Sequence, residues 1–153
     1  MSDKQTYFLS TYLLLEKENE ILLLKRKNTG WFDGFYSLIA GHAGPKECAF
    51  STIIREAKEE VGICIQKRDL KLLSVAQRFD GKNRHYVEYF FLTKNWQGNP
   101  KNIEPHKCEE IVWIEKNHIS DKKIVPHVIQ SLQAIERKEF FHSIGFNETS
   151  LTH

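Results

Sequence analysis

Short apolar runs separated by polar turns fill most of the chain, and this pattern predicts more strands than helices. Residues 7–15 and 21–24 are almost continuously aromatic, threonine or leucine, with a polar turn between them. Such runs favour two strands that form a hairpin and are buried on both faces. Further strands are predicted at 35–40, 70–79, 84–93 and 110–115. The turn at 80–83 joins two of them into a second hairpin.

Two stretches fit helices. The segment 41–63 opens with a glycine-rich turn and continues with apolar residues at helical spacing, so one side can be buried. A final helix is predicted at 124 to about 138, where Pro126 is tolerable in the first turn. From Phe140 onward the sequence has no clear period. Strands, a helix, more strands and a helix predict an α/β or α+β layered domain with a mixed sheet between helices.

Composition narrows the class of protein. The 153 residues suit one domain (1–153), with a core at about 7–139 and a C-terminal tail at 140–153. A net charge of +2 gives no sign of a nucleic-acid or membrane surface. The three cysteines are odd in number and lack zinc-site spacing, which favours reduced thiols in the cytoplasm. The chain is expected to be a monomer or homodimer without a membrane span.

Acidic residues cluster on one face of the first predicted helix. Glu56, Glu59 and Glu60 stand at i, i+3 and i+4, so their carboxylates share an arc of roughly 100°. Arg55 is expected to lie outside that arc, and like charges at this spacing destabilise an isolated helix. A divalent cation would neutralise them, and oxygen ligands suit Mg²⁺ or Mn²⁺. A solvated helix face is the alternative.

The spacing of the whole segment resembles the box of the Nudix hydrolases. It reads Gly41, five residues, Glu47, seven residues, then REAxEExGI at 55–63. Every fixed position matches, although Ala57 is small where the family generally accepts an aliphatic residue. Upstream, Ile39 replaces a proline that many relatives carry. Downstream, the pattern WxGxPxNxEPxKC at 96–108 looks similar to MutT-like nucleotide hydrolases. The resemblance implies an α/β/α sandwich with a mixed sheet.

That resemblance also implies roles for individual residues. Glu56, Glu59, Glu60 and the Gly41 carbonyl would hold Mg²⁺ or Mn²⁺, and Glu56 would be the general base, with Glu59 as runner-up. Arg55 would hold a glutamate in place, and Glu47 would orient Arg55 or cap the loop. A further carboxylate is often recruited in such enzymes. Glu110 is preferred over Glu109 for that role, although both could be solvated strand-end acids.

Substrate contacts are predicted from charge and aromatic residues. Arg26, in the basic run 25–27, could guide an anionic substrate or be a solvated strand end. Trp31 and Phe32, in the loop 28–34, could stack on a base or fill the domain edge. Arg84, like Arg78 and His85, could contact phosphate or base, or be a solvated hairpin charge.

The expected activity is hydrolysis of a nucleoside triphosphate, modified or oxidised forms included, to monophosphate and pyrophosphate. Alternatives are another X-linked diphosphate (a dinucleotide, a nucleoside-diphosphate sugar, or a prenyl or pterin diphosphate) or a ligand-binding regulator without turnover. The expected partner is thus a small molecule, with no stable nucleic acid. Substrate identity depends on loops whose geometry the sequence does not give.

Overall fold

A computed structural model describes residues 3–147. Within that range the strands are β1 Tyr7–Lys17, β2 Glu20–Arg26, β3 Tyr36–Ser37, β4 Ile39–His42, β5 Lys71–Phe79, β6 His85–Thr93, β7 Cys108–Glu115 and β8 Phe141–Ile144. The α-helices are α1 Ala49–Val61 and α2 Pro126–Glu136, and short 3₁₀ helices lie at Lys67–Asp69 and Lys116–Asp121. The predicted order of strands and helices is therefore confirmed up to α2.

β1 is the central strand of a mixed sheet. The strand order is β3-β2-β1-β6-β5-β8, with β4 also paired to β1 and β7 to β2. β1 runs parallel to β6 from the pair Tyr7 and His85 to the pair Leu15 and Thr93. It runs antiparallel to β4, which places Gly41 opposite Thr11. The glycine of the box is therefore in a strand, not in the turn that the sequence predicted.

The predicted first hairpin is short. β1 and β2 pair only near their junction, at Glu16 with Ile21 and at Lys17 with Glu20. Beyond that point β2 pairs with β7 and β3. β4 takes the edge of β1 that β2 leaves, because both strands cannot pair with the same backbone groups. The predicted second hairpin, β5 with β6, is confirmed.

Side chains alternate between the two faces of the sheet, and each face packs against one helix. One core cluster joins Tyr12, Leu14 and Phe90 to α2 residues Val128 and Leu132. The other joins the alternate residues of the same strands to α1, and its members include Leu13, Leu15, Phe91, Ile53, Ala57 and Val61. The predicted α/β/α sandwich is confirmed, with helices on opposite faces of one mixed sheet.

Helix α1 has defined ends. At its beginning, the Cys48 backbone N–H donates to Ser51 Oγ at 3.0 Å, which satisfies a group that has no partner within the helix. At its end, Gly62 has a φ of 74°, a left-handed conformation that glycine adopts without steric cost. These two ends fix which turn of the helix carries each glutamate.

The segment after Phe140 contributes a strand, so treating all of 140–153 as a tail was wrong. β8 pairs in parallel with β5 from Val75–Phe141 to Arg78–Ile144. Gly145 follows with a φ of +83°, and a Cβ there would lie 2.1 Å from the Phe79 carbonyl oxygen. A four-residue strand without alternation gives too short a pattern to detect in sequence. The part of the predicted tail after residue 147 lies outside the described residues.

Candidate active site

One cavity of about 870 Å³ is lined by α1, by the loop 28–34 and by residues of the strands, including β1, β4, β5 and β6. Its walls differ in character at the two ends. Carboxylates of α1 line one end, and cationic and aromatic side chains line the rest, among them Arg26, Trp31, Arg78, Arg84 and Tyr86. Of the sequence-predicted substrate residues, Arg26, Trp31 and Arg84 therefore line it.

Arg55 lies inside the acidic cluster, which corrects the expectation that no cation enters that arc. Its Nη1 donates to Glu56 Oε1 at 2.8 Å and to Glu59 Oε2 at 3.1 Å. Its Nε donates to Glu47 Oε2 at 3.0 Å, and its Nη2 to the His42 carbonyl at 3.1 Å. The hydrogen bonds that Arg55 donates, first of all to Glu47 and then to Glu56, raise its pKa. Arg55 thus holds glutamates in place.

Glu47 has both of the structural roles expected for it. Besides its contact with Arg55, Glu47 Oε1 accepts a hydrogen bond from the Gly44 backbone N–H at 2.8 Å. The Arg55 guanidinium, followed by this N–H, lowers the pKa of Glu47. The loop before α1 and the central arginine are therefore tied to one carboxylate.

The two partly buried acids of α1 differ from Glu47. Burial is the main cause that raises the pKa of Glu56, and Arg55 opposes it. Burial also raises the pKa of Glu60 well above its ordinary value, and the nearby Glu56 carboxylate adds to the effect. A positive charge at this position would stabilise both carboxylates in their ionised form.

Gly41 is required by close approach and not by its backbone angles. A Cβ at this position would lie 2.0 Å from Glu56 Oε1. Without a side chain, β4 lets the Glu56 carboxylate lie directly against its backbone. The Gly41 carbonyl oxygen accepts a hydrogen bond from Thr11 Oγ1 at 3.3 Å.

The donor set suits a hard divalent cation, although the side chains now contact Arg55. Among residues 3–147, no three His, Cys, Asp or Glu side chains converge as a metal site. The guanidinium of Arg55 occupies the place between Glu56 and Glu59 that a cation would need. The carboxylates and the Gly41 cradle offer oxygen atoms alone, which Mg²⁺ and Mn²⁺ prefer. A cation would be held by Glu56, Glu59 and Glu60, and it would replace the contacts of Glu56 and Glu59 with Arg55.

Glu104, and not Glu110, is the further carboxylate at the cavity. Glu110 accepts a hydrogen bond from the Tyr36 hydroxyl and is not among the lining residues. Glu104 lines the cavity, and its charge contributes to the raised pKa of Glu56 and Glu60. Its carbonyl accepts the backbone N–H of Cys108 at 2.9 Å. The 96–108 pattern contains Glu104, but a loop residue has no periodicity that indicates where it points.

The aromatic loop is ordered by its own hydrogen bonds. Asp33 accepts the backbone N–H groups of Thr29 and Gly30, both at 3.0 Å. Arg26 Nε donates to the Trp31 carbonyl at 2.7 Å, and its guanidinium lies 4.7 Å from the centre of the Trp31 ring. The Trp31 side chain is 43% exposed and borders the cavity. Trp31 therefore forms an ordered part of the cavity wall.

Phe32 does not line the cavity, contrary to its predicted substrate contact. It packs against the α2-side core and meets Phe35 and Trp31 edge to face, with ring centres 5.2 and 4.7 Å apart. Its φ of 47° is unusual for a bulky residue. Packing on three sides stabilises this conformation, so Phe32 supports Trp31 from behind.

Sequence reasoning missed the polar residues on the sheet face. Arg78 was expected to contact phosphate or base, or to be a solvated hairpin charge. It is only 8% exposed and pairs with the fully buried Glu88. The Tyr12 hydroxyl lies 3.4 Å from Glu88 Oε1 and 3.0 Å from His127 Nε2. These residues come from β1, β5, β6 and α2, so no local spacing brings them together in the sequence.

Comparisons with known proteins identify relatives of this chain. A family model described as NUDIX domain matches residues 8–135. An 8-oxo-dGTP diphosphatase of Proteus vulgaris is 28% identical over 97 residues, covering 63% of this chain and 84% of that protein. An ADP-ribose pyrophosphatase of Methanocaldococcus jannaschii is 39% identical over 57 residues, which are 37% of this chain and 33% of that protein.

Solved structures share the fold. A MutT Nudix hydrolase from Burkholderia pseudomallei superposes with a TM-score of 0.73 at 24% identity, covering 84% of this chain and 98% of that one. A MutT protein from Methanosarcina mazei gives 0.72 at 23% identity, covering 90% and 96%. At these identities the likeness supports the fold alone.

The chain belongs to the Nudix family. It is a MutT-like Nudix hydrolase, an enzyme of the class that splits phosphoanhydride bonds. Nudix hydrolases generally use divalent metal ions. In the described part of the chain, no helix combines the length and the apolar character that a membrane span requires.

Proposed function

We propose that this enzyme hydrolyses a nucleoside triphosphate, either unmodified or oxidised, to a nucleoside monophosphate and pyrophosphate. The observation that supports this most directly is a single cavity whose acidic end continues into an aromatic and cationic wall. Its volume of about 870 Å³ lies within the range of small-molecule sites. One ligand with a charged end and a flat organic end fits both parts.

The acidic end would hold Mg²⁺ or Mn²⁺ through Glu56, Glu59 and Glu60, with the Gly41 carbonyl and Glu104 as further oxygen donors. A bound divalent cation neutralises phosphate charge and lowers the pKa of water. Glu56 is the proposed general base, and Glu59 the second candidate. The Glu56 carboxylate lines the cavity, where it can accept a proton from the attacking water. Before a cation binds, Arg55 holds Glu56 and Glu59 in place.

The opposite wall would hold the organic part. Trp31 offers an exposed ring face supported by Arg26 and Phe32, and aromatic rings stack well on nucleobases. Arg84 is exposed at the rim of the cavity, where it can contact phosphate or base. Glu110 is not part of this proposal.

The reaction can be tested by identifying the phosphorus atom that water attacks. The enzyme would be incubated with magnesium, a nucleoside triphosphate panel that includes 8-oxo-dGTP, and water labelled with heavy oxygen. We expect pyrophosphate and monophosphate, with the label on pyrophosphate if the middle phosphorus is attacked. Label on the monophosphate would indicate attack at the inner phosphorus. Nucleoside diphosphate and single phosphate as first products would contradict the proposal.

The same panel includes ADP-ribose, because one relative is named for its hydrolysis. Faster turnover of ADP-ribose, a dinucleotide or another diphosphate than of any triphosphate would favour the alternative substrates. No turnover of any compound, with binding retained, would favour a regulator.

Free thiols at Cys48, Cys64 and Cys108 fit the further proposal that the enzyme works in the cytoplasm, as a monomer or homodimer.

A further inference from the structure

Arg78 is an arginine fixed in the wall of the cavity. Its Nε donates to Glu88 Oε1 at 2.8 Å, and its guanidinium carbon lies 4.0 Å from the centre of the Tyr86 ring. Among residues 3–147, Glu88 is the one hydrogen-bond partner of the Arg78 side chain. A guanidinium carries five N–H donors in a fixed plane. Arg78 therefore has donors left for a ligand in the cavity that it lines.

Retaining this ion pair is costly for a core position. Glu88 is fully buried, and its Oε2 has no hydrogen-bond partner among the described residues. Replacing such a pair by apolar residues is often neutral or stabilising, so stability alone does not account for it. Because Glu88 balances the charge of Arg78, the pair is suited to directed hydrogen bonding and not to attracting a polyanion.

The strand order separates Arg78 from the acidic end. Gly41 contacts Glu56 from β4, and the strands then follow in the order β4, β1, β6 and β5. The Arg78 guanidinium lies over Tyr86 and Glu88 of β6, so it is two strand spacings, roughly 10 Å, from β4. A phosphate held at the glutamates and a group held at Arg78 are therefore opposite ends of one extended ligand.

We propose that Arg78, held by Glu88 and Tyr86, determines specificity by hydrogen bonding the ring of the substrate, and favours a carbonyl oxygen over an amino group at that edge. The inference rests on the proposed function in that the ligand is a nucleotide. Carbonyl oxygens and ring nitrogens accept from a guanidinium, whereas an amino group presents a second donor. The preference is expected to be about tenfold to a hundredfold.

The test measures binding of nucleoside monophosphates by calorimetry, so it does not require turnover. Two pairs differ in the oxo or amino group: inosine against adenosine monophosphate, and uridine against cytidine monophosphate. We expect the parent to bind the oxo member of at least one pair at least tenfold more tightly. In the double variant Arg78→Met with Glu88→Leu, which removes both buried charges, that ratio should fall to within about twofold.

Two further variants separate specificity from folding. Arg78→Lys keeps a positive charge beside Glu88 but loses the planar fork, and should give an intermediate ratio. Arg68→Gln removes an exposed arginine of the 3₁₀ helix at 67–69 and should leave the ratio unchanged. Circular dichroism and the melting temperature verify that each variant is folded.

Three outcomes would overturn the inference. They are a parent without an oxo preference in either pair, a ratio that persists in the double variant, and equal weakening of oxo and amino ligands. Failure of the proposed function has a different signature. A preference that depends on Arg78 in an enzyme that hydrolyses no triphosphate would support the specificity role and contradict the activity. Triphosphate hydrolysis with an oxo preference independent of Arg78 would do the reverse.

Discussion

The cavity joins two clusters of charged residues that are built in opposite ways. On α1, the Arg55 guanidinium contacts Glu56, Glu59 and also Glu47 from the preceding loop, and Glu60 lies beside them. On the sheet, Arg78 and Glu88 form a matched pair, one 8% exposed and the other fully buried. The α1 cluster has an excess of negative charge near solvent, whereas the sheet pair is balanced within the core.

This difference separates two uses of charge. An excess of carboxylates destabilises the apo protein and leaves room for an external cation to compensate it. A balanced buried pair needs no ion, and it fixes the direction of a side chain instead. The comparison predicts that the α1 cluster should respond strongly to metal and to loss of charge, and that the sheet pair should not.

Removing the metal ion should have the largest effect on activity, and it should act on the α1 cluster alone. With excess chelator, hydrolysis should fall to background, and added magnesium or manganese should restore it. Metal at about a hundred times its dissociation constant should stabilise the fold by about 2.7 kcal/mol. The melting temperature of the variant with Arg78→Met and Glu88→Leu should rise by the same amount as that of the parent. Turnover that persists in chelator would exclude the metal site.

Neutralising one glutamate should have the second-largest effect. Glu56→Gln and Glu60→Gln preserve side-chain volume, so the fold should persist while kcat/KM falls by about 10²- to 10⁴-fold. Initial rates at saturating magnesium and thermal melting measure the two quantities. Glu136→Gln, on α2, is the control for a general loss of charge. Rates near the parental value in both variants would mean that the acidic face is only a solvated surface.

Replacing the further carboxylate, Glu104, should have a smaller effect, on the magnesium requirement. Glu104→Gln should raise the magnesium concentration for half-maximal activity by about tenfold, because an oxygen donor near the cation is lost. Glu110→Gln should leave it unchanged, since Glu110 contacts Tyr36 outside the cavity. A magnesium titration of both variants makes this comparison. The reverse ranking would restore Glu110 as the ligand predicted from sequence.

The last effect concerns pH and His127, which contacts Tyr12 beside the sheet pair. Burial, followed by the charges of Arg78 and Arg26, lowers the pKa of His127 to about 3. An unfolded chain takes up this proton near pH 6.5, so the folded state loses stability as pH falls from there toward 3. The loss contributed by His127 between pH 6.5 and pH 5 is about 2 kcal/mol.

The groups facing His127 are Arg78, Arg26, Tyr12 and Glu88. Burial raises the pKa of Glu88, which opposes part of the His127 contribution at the acidic end. His127→Gln should therefore show a shallower decline than the parent when the free energy of unfolding is measured in urea at both pH values. An identical decline in the two proteins would show that His127 does not titrate as its burial implies.

The sequence predicted the acidic cluster better than any other feature. Glu56, Glu59 and Glu60 are close in the chain, and helical geometry alone places them together. Glu104 and Arg78 required knowledge of a loop path and of strand order, neither of which produces a local pattern. Arg55 was misplaced because its long side chain reaches along the helix surface to Glu56 and, one turn further on, to Glu59. Short-range periodicity thus gave the elements and the box, but not the contacts made between them.

The parallel pairing of β1 with β6 also determines the order in which this enzyme can assemble. Partners such as Tyr7 and His85 are 78 positions apart, so this contact closes a long loop and loses chain entropy before it gains packing. Contacts of such separation slow folding. Helix α1 and its glutamates lie within that loop, and the helix obtains its full buried face only when β6 joins β1 beneath it. During synthesis the acidic helix therefore cannot pack fully until at least the residues up to Thr93 have been made.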